Sequence, residues 1–380
     1  MIENSLRSSG KSRAWVEIDL DALAHNASQL RKLLPSRCKL MAIVKTDAYG
    51  HGYERVAQRL QKEGIRSYAV ATIDEGSALR EAGILGDILV LGYTAPEDAD
   101  VLAKHSMAQL VISGAHAAKL NATGLGLQVH VAIDTGLHRL GVDASDIDEL
   151  ESIFACNNLT VVGTATHLAS CDSLDETEVS FTNEQLRRFF SAVDALNSRG
   201  CNTGDLHVQS SFGIANYPAA DYAYARAGIM LYGVKSTDTA TKAKIDLRPV
   251  LSLRAVIAQV RQIGIGESAG YGRLFTADRP TKLATVCIGY ADGVPRQLSG
   301  PDAACLVNGQ RVPIVGRISM DMLMVDTTDI APVKTGDVAT LIGRDGAEII
   351  RCEDFATAAG TITNDILCGL GGRLERIYFD

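Results

Sequence analysis

Leu40-Met41-Ala42-Ile43-Val44 runs apolar into a single lysine, Lys45, and the chain then breaks into Thr46-Asp47-Ala48-Tyr49-Gly50-His51-Gly52. Short apolar runs closed by turn signals form strands buried on both faces. The carboxyl ends of such strands are where barrels and doubly wound sheets assemble active sites. Burial disfavours an ammonium group and a neutral amine attacks aldehydes, so Lys45 suits imine chemistry. The alternative is a strand-end lysine whose stem packs while its head reaches water. Four further polar clusters follow apolar runs: Asp134–Gly141, Thr166–Asp172, His207–Ser211 and Arg226–Ile229. One such His or Arg commonly just satisfies backbone carbonyls. Several together favour convergence on one rim.

Backbone N–H groups of Gly228 and Ile229, with the hydroxyls of Ser211 and Tyr49, would cup a phosphate monoester. Arg226 can bond a ring nitrogen or pair with an anion. An imine-forming lysine, a phosphate cup and a cation beside a ring nitrogen describe pyridoxal phosphate. A sugar-phosphate isomerase needs the same cup, so that class stays open. Farther on, Tyr271 stands between glycines in Ala269–Gly272, Tyr290 in Ile288–Gly293, and Val315–Asp321 runs from a strand into a polar turn. A tyrosine in a glycine turn also fits a ring left in solvent.

These groups need a scaffold. Apolar runs at Trp15–Ile18, Lys39–Lys45, Ser67–Ala71, Asp87–Leu91, Gln109–Val111, Gln128–Ile133, Thr160–Ala165, Asp205–His207 and Arg226–Ile229 alternate with helical patterns such as Asp19–Leu33, Ile73–Ala82 and Asn183–Ser198. About eight strand–helix repeats predict an N-terminal (β/α)8 barrel over residues 14–240. After the small polar stretch Ser236–Thr241, short alternating strands predict a mainly antiparallel C-terminal β domain over 241–380, with hairpin turns at Asn308-Gly309 and Asp345-Gly346. Residues 1–13 read as a tag or linker.

Composition narrows the class. A net charge of −8 with no basic cluster argues against nucleic acid. No apolar run is long enough to cross a bilayer, so this segment makes no membrane contact of its own. Eight scattered cysteines without a CxxC pair predict reduced thiols, a cytoplasmic setting and no metal site.

VKTDAYGHG, IDTGLHRLG, THLASCD, RAGIMLYG, GYG, IGYADG and VGRISMD resemble, in order, the motifs of the alanine racemase family, whose members pair a pyridoxal-phosphate barrel with a β domain and work as head-to-tail dimers. The resemblance implies a racemase of serine and/or alanine that supplies D-amino acids for peptidoglycan precursors, and it lies nearest the catalytic part of the membrane-anchored serine/alanine racemases of vancomycin resistance. A housekeeping alanine racemase is the alternative reading. A decarboxylase of the same fold is disfavoured because it pairs the ring nitrogen with a carboxylate, where this chain offers Arg226.

By the same resemblance Lys45 is the Schiff-base lysine and one base, and Tyr271 is the second base, given by the partner subunit of a homodimer. His167 and Arg139 neighbour that tyrosine and favour its phenolate, with Arg139 also near the substrate carboxylate. Tyr49, Ser211, Gly228 and Ile229 form the phosphate cup, Arg226 faces the pyridine nitrogen, and Met320 contacts substrate through its backbone. Asp172, Tyr290, Arg296 and Arg317 line the access corridor, where a carboxylate between two arginines would favour zwitterions.

Two departures matter. Ala132 replaces a lysine that is carbamylated in many members, so something else, such as an anion, must hold Arg139. Asn364, grouped with the cofactor- and substrate-binding residues, replaces the tyrosine that walls the pocket. Room plus a donor and an acceptor there predict that serine is accepted in preference to alanine.

Overall fold

The structure is a computed structural model that describes residues 13–217, 222–300 and 302–380. Eight strands form the first sheet, in the order Tyr224–Ala227, Lys39–Ile43, Ser67–Val70, Asp87–Val90, Ala108–Val111, Leu127–Asp134, Leu159–Ala165 and Asp205–His207, each parallel to its neighbour. The two ends meet where Ala223 N donates to Leu206 O at 2.9 Å and Arg226 N to Gln209 O at 3.0 Å, which curls the sheet into a barrel. Ser67–Val70 and Tyr224–Ala227 are buried at every residue, as continuous apolar runs require when helices cover the outside.

The helices start where the chain supplies caps. Asp19 accepts from Ala22 N ahead of Leu20–Lys32, Thr72 from Glu75 N ahead of Ile73–Glu81, and Ser113 from His116 N ahead of Gly114–Ala122. The last barrel strand ends sooner than the apolar pattern suggests. Gly228 breaks it, and Ile229–Tyr232 forms a 3-10 turn.

The second sheet runs in the order Glu348–Ile350, Val338–Asp345, Ala304–Val307, Gln310–Val315, Leu323–Asp326, Thr281–Val286, Leu251–Ile263, Ala14–Asp19 and Glu375–Phe379. Every pairing is antiparallel except the last, where Ala14–Asp19 lies parallel to Glu375–Phe379. This corrects the expected barrel limits. The 14–19 strand belongs to the second sheet, and the barrel's strands begin at Lys39. A short apolar run reports burial, here of Val16 and Ile18, but carries no label for the sheet it joins. Arg254, in register with Trp15 and so diagonal to Glu17, forms a 2.7 Å ion pair with that carboxylate.

The expected lead-in, 1–13, lies outside the described residues apart from Arg13. That residue is anchored, its guanidinium gripping the fully buried Asp292 at 2.7 and 3.0 Å. At the Asn308-Gly309 hairpin both residues have positive φ, 51° and 72°, the geometry that two-residue hairpin loops favour. Residues 236–250 join the two sheets without regular structure. No helix among the described residues is long and apolar enough to cross a membrane.

Candidate active site

A cavity of about 490 Å³ opens at the carboxyl ends of the barrel strands. Lys45, Tyr49, Arg139, His167, Ser211 and Arg226 line it, as do Gly228, Ile229 and Asn364. Among its lining residues there are three cationic side chains, several hydroxyls and no carboxylate. A site so composed suits a ligand that brings its own negative charge.

Lys45 and Tyr49 flank an unusual turn. Thr46, Asp47, Ala48 and Tyr49 all have φ between 51° and 54°. Left-handed backbone costs a non-glycine residue roughly 1–2 kcal/mol, so four in succession need strong external support. Glu75 supplies part of it by accepting from Thr46 N at 2.6 Å and Ala71 N at 2.7 Å. His51 Nδ1 adds bonds to Ala48 O and Tyr49 O, and Arg376 Nε donates to Gly50 O. The sequence offered no cue for this turn or for Glu75, because no glycine stands among residues 45–49.

Arg226 is buried and lies between three histidine-linked elements. Nη1 donates to His207 Nδ1 at 2.7 Å and His207 O at 2.8 Å; Nη2 donates to Thr166 O, Val208 O and, at 3.2 Å, His167 Nδ1. A guanidinium can only donate, so both imidazoles receive at Nδ1 and carry their proton on Nε2. His207 Nε2 then donates to His130 Nδ1 at 2.9 Å. Burial pushes Arg226 down only to about 10, so it stays charged at neutral pH. His130 was not anticipated; its one signal is a titratable group inside the apolar run Gln128–Ile133.

The edge of the His167 ring opens onto the cavity, yet desolvation and then Arg226, Arg139 and Lys45 push it down to about 3. A ring held down in this way favours its neutral form, which leaves Arg139 as the positive charge for the expected phenolate. What it offers is the N–H at Nε2.

Ser211 Oγ accepts from Gly228 N at 2.9 Å and Met230 N at 3.3 Å. Ile229 opens the 3-10 turn, so its N–H has no acceptor within that turn. A Cβ on Gly228 would come within 2.8 Å of Tyr49 Oη, which is why glycine stands there. Burial pushes the Tyr49 phenol well up, leaving it a neutral donor. These groups can cradle a phosphate monoester, and Lys45 with Arg226 can meet an aldehyde and a ring nitrogen.

Arg139 follows a loop in which the Asp134 carboxylate accepts from Gly136 N, His138 N and His138 Nδ1. Backbone and side-chain bonds outweigh burial and hold this carboxyl below its ordinary range. Among the described residues Arg139 has no ion-pair partner, and Ala132 beside it lines the cavity. Asn364, on the helix Thr363–Gly369, has a buried Oδ1 with no hydrogen-bond partner among the described residues.

Tyr271, Tyr290, Arg296, Arg317 and Met320 do not line the cavity of their own chain, and neither does Asp172. Tyr271, Met320 and Tyr290 are 69%, 53% and 42% exposed on the second domain. Ala291 N donates to Met320 O and Tyr290 N to Ser319 O, which ties two of these loops together. Within one chain, among the described residues, Asp172 pairs with neither Arg296 nor Arg317, so the expected carboxylate flanked by arginines does not form there.

Family sequence models described as alanine racemase, N-terminal domain and alanine racemase, C-terminal domain match residues 18–236 and 250–378. An amino-acid racemase of Enterococcus faecalis is 43% identical over 366 residues, covering 96% of this chain and 51% of that protein. A serine/alanine racemase of Enterococcus gallinarum is 38% identical, with coverage of 96% and 51%. The chain thus spans about half the length of these two relatives. An alanine racemase of Nostoc sp. is 39% identical, with coverage of 96% and 95%. Among solved structures, alanine racemase of Clostridium difficile 630 superposes with a TM-score of 0.90 at 33% identity, covering 97% of this chain and 96% of that one. Alanine racemase of Bartonella henselae with covalently bound pyridoxal phosphate gives 0.85 at 30%, with coverage of 97% and 100%.

Proposed function

The chain belongs to the alanine racemase family, and on that premise we propose that it is a pyridoxal-phosphate-dependent racemase of serine and alanine, with serine preferred. The carrying observation is the unpartnered Oδ1 of Asn364 on a cavity that also holds Lys45 and Arg226.

When bound, pyridoxal phosphate supplies an aldehyde for the amino group and an electron-withdrawing ring that acidifies the α-carbon. The chain's residues do the rest. Lys45 Nζ would hold the cofactor through its aldehyde and would serve as base on one face of the α-carbon. Tyr49, Ser211, Gly228 and Ile229 anchor the phosphate, and the structure's cup of neutral donors fits it. Arg226 would face the pyridine nitrogen as a fixed cation that gives up no proton, which would keep the ring a modest electron sink and disfavour side reactions.

Tyr271 of a second copy takes the opposite face of the α-carbon, so one base removes a proton and the other returns one with inverted configuration. That arrangement suits its exposure on its own chain. Arg139 supplies the positive charge that favours its phenolate and binds the substrate carboxylate; His167 adds the hydrogen bond from Nε2. Tyr290, Arg296, Arg317 and Met320 of the second copy complete the corridor with Asp172. Asn364 Oδ1 accepts from the serine hydroxyl. A site that bonds a hydroxyl discriminates against its absence far better than an apolar wall rejects its presence.

The activity supplies D-amino acids for peptidoglycan precursors in a cytoplasmic setting, with vancomycin resistance as the role that serine preference supports. The test is formation of the D-enantiomer from L-serine and L-alanine side by side with added cofactor, together with borohydride trapping. The reading expects a label on Lys45 and a higher kcat/KM for serine. No label and no D-product would end it.

A further inference from the structure

Resting on that reading, we propose that His51 is a positioning residue: with Tyr232 it clamps the left-handed turn that sets the distance and orientation between Lys45 and Tyr49.

The clamp is continuous in the structure. Tyr232 Oη donates to Ile43 O at 2.9 Å, at the end of the strand that leads to Lys45. The Tyr232 ring lies 4.4 Å from the His51 ring and 5.0 Å from that of Tyr49. His51 Nδ1 is 3.0 Å from Ala48 O and 2.8 Å from Tyr49 O, both on the far side of the turn. The segment Val44–Ala48 is therefore bracketed between two fully buried rings and the backbone they hold.

The protonation is forced. Both acceptors are carbonyls, so Nδ1 carries the hydrogen and Nε2 is left with a lone pair. That Nε2 is buried and has no partner among the described residues. An apolar ring would avoid this orphaned acceptor, so what histidine contributes here is the Nδ1–H. Its target is the one stretch among the described residues where four successive non-glycine residues stay at positive φ. Without the bond, the turn is free to relax toward right-handed backbone, which swings Tyr49 away from Ser211 and Gly228 and turns Lys45 from the mouth.

The experiment compares wild type with His51→Phe, His51→Asn and Tyr232→Phe in the full chain. Deuterium exchange of the peptide spanning 44–52 is measured in cofactor-free protein, and pyridoxal phosphate affinity by absorbance titration. The phenylalanine variant should raise exchange in that peptide and weaken cofactor binding by roughly tenfold to a hundredfold, while exchange in the second sheet stays as in wild type. Asparagine, which keeps a donor near the Nδ1 position, should recover most of both losses, and Tyr232→Phe should show a smaller loss in the same two readouts. Phenylalanine within twofold of wild type in both, or asparagine no better than phenylalanine, overturns the clamp. Should His51→Phe not fold, an unchanged Tyr232→Phe overturns it instead. Wild type that binds no cofactor defeats the proposed function alone, because the exchange comparison still tests the clamp.

Discussion

Nη1 of Arg226 lies 2.7 Å from Nδ1 of His207, and His207 passes its own hydrogen to His130 at 2.9 Å. A group that can only donate thus orders a column of neutral imidazoles through the barrel interior. His207 is held well below the ordinary histidine range by burial, then by Arg226 and His130, and burial pushes His130 and His51 down to about 4 each.

This has a consequence for stability in acid. Below about 6.5 the unfolded chain takes up protons that native His51 and His130 refuse until about 4, so stability falls as pH drops through that window. His51 alone accounts for on the order of 3 kcal/mol, with His130 and His207 acting in the same direction. Urea midpoints measured at neutral pH and then through the window should fall steadily. A midpoint that stays level down to about 4 would show that these rings are not held neutral.

Asn364→Tyr should shift the serine-to-alanine ratio of kcat/KM toward alanine by roughly tenfold to a hundredfold. The variant fills the space beside the orphaned Oδ1 and removes that acceptor. An unchanged ratio would remove Asn364 from the account of specificity.

Inactive Lys45→Ala and inactive Tyr271→Ala proteins, mixed and allowed to exchange subunits, should recover activity. Each hybrid dimer holds one intact site out of two, so an equal mixture should reach about a quarter of wild-type activity. No recovery, with exchange verified by mass, would place both bases in one chain.

Arg13→Ala should destabilise the protein by on the order of 3 kcal/mol, because Asp292 is fully buried and among the described residues keeps only Arg373, at 3.5 Å, as a cationic neighbour. Arg13→Lys should restore part of the loss, since one ammonium cannot reproduce the two-armed grip. Melting temperature measures both. A loss no larger than that of an exposed ion pair would mean that Asp292 is compensated elsewhere.

The barrel was legible because strands covered by helices are apolar throughout, and Lys45 stood out as the polar residue ending such a run. Sheet membership was not legible. Trp15–Ile18 looks like any barrel strand, and only the pairing with Leu251–Ile263 and Glu375–Phe379 places it. The site's outline came from motif order, and nine of the expected residues do share the cavity. At His167 proximity to cations reads as shared positive charge, whereas desolvation and the neighbouring cations push its proton affinity down. The support around Lys45 escaped notice because Glu75, His51 and Tyr232 lie far apart in the chain or carry no periodic signal.

Because Ala14–Asp19 is gripped on one side by Glu375–Phe379, a strand made before the barrel must wait for one made long after it. The barrel has all its strands once Tyr224–Ala227 is made, whereas the second sheet lacks its edge until Glu375–Phe379 follows. A product truncated near its end would leave that early strand with a bare edge, open to pairing with another nascent chain.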